Sequence, residues 1–215
     1  MSLEHPLLRA CGVRHGFGTR ADAPPAGLLR PAQVHGCRVA RAEDCASGVE
    51  ADAVIACAAP HLVGVVTADC VPILAATADG RAVAAIHAGW RGLAAGVVGA
   101  GIDALRRESH GAALRAAIGP RIGACCYEVD GPVLDALRHF DADLDAATSA
   151  SRPGHRWLDL GALTRSALLR AGVSLSEIGD FERVCTFCDA RRFHSYRREG
   201  PRAGRLVHWI AARPA

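Results

Sequence analysis

The sequence predicts a mixed α/β or α+β domain in which helices cover β-sheet, and three observations lead there. Short apolar runs rich in β-branched residues recur, each too brief to be a helix. Two of them are joined by an Asp-Gly turn, so at least one hairpin is antiparallel. Between the runs lie stretches with apolar residues at helical spacing, bounded by capping residues and glycines.

In chain order, His61–Thr67 (HLVGVVT) reads as a buried strand, and Val71–Ala76 (VPILAA) as a second after Ala68, Asp69 and Cys70. Asp79–Gly80 turns the chain, and Ala82–Ile86 returns as the other arm of the hairpin. A glycine-rich turn, His87–Gly92, follows. Leu93, Val97, Ile102 and Leu105 then recur at helical spacing up to Arg106–Arg107. Leu114–Ile118 is another strand, closed by Gly119–Pro120. Asp130 caps a helix with Pro132 in its first turn that runs to about His139. Asp141–Gly154, rich in Asp, Ala and Ser, reads as a surface excursion. Asp159–Arg170 is a helix stopped by Gly172, Ser174–Glu177 is a capping box, and Arg205–Ala211 is a final strand. No linker or internal repeat divides residues 1–215, so one domain is expected.

Composition removes several functions. The 215 residues are 50% hydrophobic and 22% charged, a globular balance. There is no Lys and no Asn, so all 25 basic residues are Arg. A Walker phosphate loop, a Schiff-base lysine and lysine-anchored pyridoxal phosphate are excluded. The net charge of +3 and an aromatic content of 5% argue against a nucleic-acid partner, whereas a few arginines holding a small phosphate fit well. The N-terminal residues lack a basic region followed by an apolar stretch, so no signal peptide is expected. The nine cysteines then suit a reduced, cytoplasmic protein. The longest apolar run, Gly92–Ile102, falls short of the ~18 residues of a membrane span, so no membrane partner is expected.

Three residues stand where strands end: His35 in QVHG, Cys70 after Ala68–Asp69, and His87 after the hairpin's second arm. A hairpin folds Cys70 and His87 back together, and His35 would come from a neighbouring segment. Two imidazoles and a thiolate suit zinc, and three protein ligands leave the open position of a catalytic site. With ten His and nine Cys in the chain, such a triple also arises without function, and spacing alone favours that bland reading. Cys185-Thr-Phe-Cys188 is a single C-x-x-C with no second pair, more in keeping with two ordinary thiols than a metal site. Cys125 and Cys126 are adjacent, point apart in an extended chain, and read as buried filler. The glycines of 87–92 let backbone N–H groups converge, the following helix offers its positive end, and Arg91 adds a guanidinium. An anion site and simple close packing are equally good readings of that turn.

At this point the chain resembles the YfiH-type family, also called laccase-domain or multicopper polyphenol oxidases and, later, multifunctional purine nucleoside phosphorylases. The matching segments are His15-Gly-Phe17 with Thr19–Arg20, QVHG at 33–36, TADCVPIL at 67–74, HAGWRG at 87–92, GPRIGACCYEV at 119–129, Cys185–Thr186 and FHSYRREG at 193–200. They span nearly the whole chain. The resemblance implies an α+β fold, a layered α/β/β/α sandwich. It implies one zinc on His35, Cys70 and His87, with phosphorolysis of adenosine, inosine and methylthioadenosine and deamination of adenosine. Its partners would be a small nucleoside and phosphate, its state monomer or homodimer. Copper oxidation is not favoured, because it needs several histidine-rich copper sites. The sequence departs from the family at Ala21–Asp22, where a Gly-Gly turn is usual, at Arg121 and Ala124 in GPRIGACCYEV, and at His194.

For deamination, a zinc-activated water would attack C6 of adenine, with Asp69 or Glu128 as candidates to move the proton. For phosphorolysis, Arg20, Arg91 or Arg197 would hold the phosphate. Two other classes fit the same residues. One is a cysteine hydrolase or deamidase with Cys70 as nucleophile and His87 as base, a reading aided by a likeness of fold to the cytotoxic necrotizing factors. The other is a zinc-binding scaffold without turnover.

Overall fold

The computed structural model describes residues 2–57, 61–138 and 144–213. The hairpin forms as expected. Val71–Thr77 pairs antiparallel with Ala82–Ala88, in a register that sets Ile73 opposite Ile86 and Leu74 opposite Ala85. Every residue of both strands is buried. The hairpin is the centre of a six-stranded sheet in the order Ile178–Asp180, Leu114–Ile118, Val71–Thr77, Ala82–Ala88, Ala53–Cys57, Val39–Arg41. Its inner pairs are antiparallel, and each edge strand runs parallel to its neighbour.

The alternation of the hairpin explains the layers. Ile73, Ala75, Ala84 and Ile86 face one way, into a core shared with Val97, Ile102 and Leu105 and with Leu163 and Leu168. Leu74, Ala76, Val83 and Ala85 face the other way, against Val63, Val65 and Ile210 of a second sheet. That sheet has the order Arg14–Phe17, Leu206–Ala211, Leu62–Thr67, Leu28–Leu29. The longer helices, Val97–Arg107, Gly131–Arg138 and Leu160–Arg170, all bury residues in the first core. The result is an α+β sandwich with two mixed sheets face to face and helices over the outer side of the larger one.

Several local expectations change. Leu62–Thr67 belongs to the second sheet, paired antiparallel with Leu206–Ala211, so the chain passes between sheets at 68–70. The helix expected from Leu93 to Arg107 is two helices, Trp90–Ala94 and Val97–Arg107, because Gly96 adopts φ +83° and breaks the ladder. Asp159 caps its helix as expected, accepting from the N–H groups of Gly161 and Ala162. Ser174 makes no side-chain cap, and Glu177 instead takes the Arg115 guanidinium at 2.6 Å. The excursion expected over 141–154 contains strand Thr148–Ala150, which joins Arg156–Leu158 and Glu128–Val129 in a small third sheet. Its residues 141–143, and His139 at the expected helix end, lie outside the described residues.

Candidate active site

The crossing between sheets makes the site. Asp69 turns the chain with φ +89°, and Cys70 emerges where the two sheets part. His87 lies beside it on the hairpin's second arm, opposite Pro72. His35 arrives on the QVHG loop, itself at φ +60°. Ligand atoms of His35, Cys70 and His87 lie within 4.8 Å of one another, with the two imidazoles edge to face at 4.8 Å between centroids. Gln33 pins the loop by pairing its amide with both backbone groups of Val66, at 2.8 and 2.7 Å. The glycine of HAGWRG is required sterically: a Cβ at Gly89 would stand 2.9 Å from Cys70 Sγ and 3.2 Å from His35 Cδ2.

Asp52, which the sequence reading missed, organises all this from complete burial. One carboxylate oxygen accepts from His87 Nδ1 at 2.8 Å and from the His35 N–H at 2.9 Å; the other accepts from the Gly36 N–H at 2.7 Å and the Val34 N–H at 3.2 Å. The only sequence signal was an acidic residue opening the apolar stretch Ala53–Cys57. Burial disfavours the Cys70 thiolate, but hydrogen bonds from His35 and His87 outweigh it and bring its pKa down to about 7. Burial would likewise lower His87, yet Asp52 and Cys70 raise it to about 9.

The donor set fits a zinc ion. It is mixed N/S, the thiol ionises readily, and Asp52 occupies His87 Nδ1, leaving the other ring nitrogen for a ligand bond. Beside the three residues opens a cavity of ≈ 690 Å3. Four arginines line it: Arg30, Arg91, Arg197 and Arg205. So do Trp90, Tyr127 and Tyr196. Arg91 lies over the Trp90 ring at 4.2 Å, and Arg197 over the Tyr127 ring at 5.0 Å, so both guanidinium planes are held by stacking. Burial pushes the Tyr127 phenol up, keeping it neutral.

The other sequence candidates divide. Arg91 and Arg197 reach the cavity. Arg20 does not line it; it donates to Glu199 at 2.9 Å and to the Ala190 carbonyl. Asp22 turns that loop by accepting from the Thr19 N–H and hydroxyl. Asp69 lines the cavity, but its oxygens are taken by Thr186 Oγ1 at 2.6 Å, Ser195 Oγ at 2.9 Å and the Arg197 N–H at 2.7 Å. Glu128 points to Ser151 and Arg152 instead of the cavity. Arg198, beside Arg197, donates to the carbonyls of Thr186, Phe187 and Phe193. Helix Trp90–Ala94 is only five residues long, so the anion chemistry of that turn rests on Arg91. Arg30, Arg205 and Tyr127 were missed, since nothing local sets them apart from the other arginines and aromatics.

The cysteines require a further correction. Cys125 and Cys126 are not filler and do not point apart. A turn, closed by the Cys126 N–H on the Gly123 carbonyl at 3.0 Å, carries both to Cys185 and Cys188. All nine cysteines are free thiols.

The fold is a two-sheet α+β sandwich with a His/Cys cluster at the seam between its sheets. Residues 13–213 match the family described as multi-copper polyphenol oxidoreductase laccase, and the chain belongs to that family. A purine nucleoside phosphorylase of Xylella fastidiosa is 38% identical over 186 residues, covering 83% of this chain and 70% of the relative. The adenosine deaminase RL5, from an unknown prokaryotic organism, is 35% identical over 198 residues, covering 85% and 74%. The Bacillus licheniformis hypothetical protein YfiH superposes with a TM-score of 0.83 at 26% identity, covering 94% of this chain and 93% of that one. No helix among the described residues is long and apolar enough to cross a membrane.

Proposed function

We propose that the chain is a zinc-dependent purine nucleoside phosphorylase, acting on adenosine, inosine and methylthioadenosine, that also deaminates adenosine. The observation that carries this reading is the union in one cavity of the His35–Cys70–His87 set with four arginines and stacking aromatics. The named relatives support it. Zinc is proposed over copper because, among the described residues, the metal-ligating clusters are one His2Cys set and one all-cysteine set, not several histidine-rich sites.

A zinc ion on His35, Cys70 and His87 would supply Lewis-acid activation of water or a substrate oxygen at neutral pH. Asp52 holds His87 in one tautomer and fixes the His35 backbone. For phosphorolysis, phosphate attacks the anomeric carbon as the purine leaves. Arg91 and Arg197, with Arg30 and Arg205, neutralise and orient the phosphate. Arg20 supports the neighbouring loop through Glu199. Trp90, Tyr127 and Tyr196 offer ring faces to the base. Of the two carboxylates considered for proton transfer, Asp69 is the one beside the cavity. Nine free thiols fit a cytoplasmic setting, and small molecules, not nucleic acid, are the proposed partners.

The test is product analysis on metal-assayed protein. Inosine should give hypoxanthine and ribose 1-phosphate only with phosphate present, and adenosine should give inosine without it. Hypoxanthine release at equal rate in phosphate-free buffer would mean hydrolysis instead. A second reading has its own observation: Cys70, His87 and Asp52 are linked in the order nucleophile, base, carboxylate. A chelator separates the two, since the zinc enzyme loses activity and the cysteine enzyme keeps it.

A further inference from the structure

Four thiols meet outside the cavity. Cys125 and Cys126 come from the turn before Tyr127, and Cys185 and Cys188 from the C-x-x-C on the other side. All four sulfurs lie within 4.8 Å of one another; Cys126 and Cys188 are 3.3 Å apart, Cys125 and Cys188 3.8 Å. Tetrahedral zinc with Zn–S bonds of about 2.3 Å sets its sulfurs roughly 3.8 Å apart. We propose that Cys125, Cys126, Cys185 and Cys188 form a second, structural zinc site with four thiolate ligands.

The surroundings are those of a metal thiolate. The Gly123 N–H donates to Cys185 Sγ at 3.2 Å, and the N–H groups of Phe187 and Cys188 converge on the same sulfur. Such donors spread the charge of a bound thiolate and fix its direction. The Arg198 guanidinium lies against the carbonyls of Thr186 and Phe187, within the C-x-x-C, and offsets the net charge of −2 that zinc and four thiolates would leave. Cys125 and Cys188 are exposed, so the ion has a route in. Four protein ligands leave no open position, which makes the site structural.

Its location defines what it does. The two segments are also joined here by a bridge of Arg121 with Cys185, by the Thr186 N–H on the Arg121 carbonyl and by the Gly123 N–H on Cys185 Sγ. One carries Tyr127, and the other leads to Ser195, Tyr196 and Arg197. Zinc there fastens the wall on which Arg197 lies over Tyr127, through residues that do not line the cavity.

Metal analysis of three proteins tests this: wild type, Cys125→Ser/Cys188→Ser, and His35→Ala/His87→Ala. The cysteine pair should lower zinc by about one equivalent per chain, and the histidine pair should keep at least that equivalent. If the His35–Cys70–His87 reading fails, the histidine pair matches wild type and the cysteine result still stands. Cobalt(II) added to metal-free wild type gives a readout independent of how the variants fold. A tetrathiolate site yields intense sulfur-to-cobalt charge transfer, several times that of a site with one sulfur. Zinc unchanged in the cysteine pair, a one-thiolate spectrum only, or a Cys126–Cys188 disulfide in protein purified with zinc and without oxidant would overturn the proposal.

Discussion

A single oxygen of Asp52 serves both histidines of the cluster: it accepts from His87 Nδ1 at 2.8 Å and from the His35 backbone N–H at 2.9 Å. The imidazole of one and the loop of the other are therefore fixed by the same buried charge. Asp52→Asn keeps the shape but replaces a charged acceptor with a neutral amide, half of which is a donor facing N–H groups. Zinc affinity at the His35–Cys70–His87 site should fall roughly 10- to 100-fold, as when other outer partners of metal-bound histidines are lost. Competition with a chromophoric chelator measures it; an unchanged dissociation constant would remove Asp52 from the account.

Gly89 gives a purely steric test. Its φ of −78° suits any residue, so alanine meets no backbone strain there. The added methyl instead falls 2.9 Å from Cys70 Sγ and 3.2 Å from His35 Cδ2. One of the two must retreat, and displacements approaching 1 Å cost about 100-fold in rate at positioned sites. Gly89→Ala should fold with near wild-type thermal stability and lose activity by that order. Full activity would mean that the three side chains need not be as close as they are.

Much of the fold was legible because it is local. The Asp79–Gly80 turn and the runs on either side specify the hairpin, and Asp159 announces its helix through its own side chain. Which sheet a strand joins is not local. Leu62–Thr67 has the same apolar character as Val71–Thr77, yet it pairs with Leu206–Ala211 far along the chain. The same limit governs the site. His35, Cys70 and His87 were visible at strand ends, but spacing could not choose them over other His/Cys triples, and the family motifs did. The four-cysteine cluster escaped because its halves lie about 60 residues apart, and because Cys125–Cys126 sit in a turn, where adjacent side chains need not diverge.

The arginines separate by what already holds them. Arg197 lies in the cavity wall, oriented by Tyr127 and by the Glu128 carbonyl, while Asp69 grips its backbone N–H. Arg197→Ala leaves that backbone contact and removes the guanidinium. The Michaelis constant for phosphate should rise about 10- to 100-fold, the worth of a charge-assisted hydrogen bond or two, with that for inosine much less affected. Arg20→Ala should leave the phosphate constant within about twofold, because Arg20 is spent on Glu199 and Ala190. Equal effects of the two substitutions would mean that lining the cavity does not select the phosphate ligands.

Acid stability should report on His208. It is wholly buried between the sheets, with Nε2 2.9 Å from Thr67 Oγ1 and no hydrogen-bond partner for Nδ1. Burial pushes its pKa down to about 3. In the unfolded chain it titrates near ~6.5, so below that pH the unfolded state binds a proton that the folded state refuses. The stability is intact above about pH 6.5, declines as pH falls, and stops declining through this group near 3. Burial lowers His5 and His15 as well, with the same sign. His208→Gln keeps a side chain able to reach Thr67 and removes the titration. Denaturant unfolding of chelated wild type and chelated variant, at pH 6.5 and 4.5, isolates the histidine from acid release of metal. Wild type should lose about 2–3 kcal/mol more than the variant over that interval. Parallel pH profiles would show that His208 accepts its proton without unfolding.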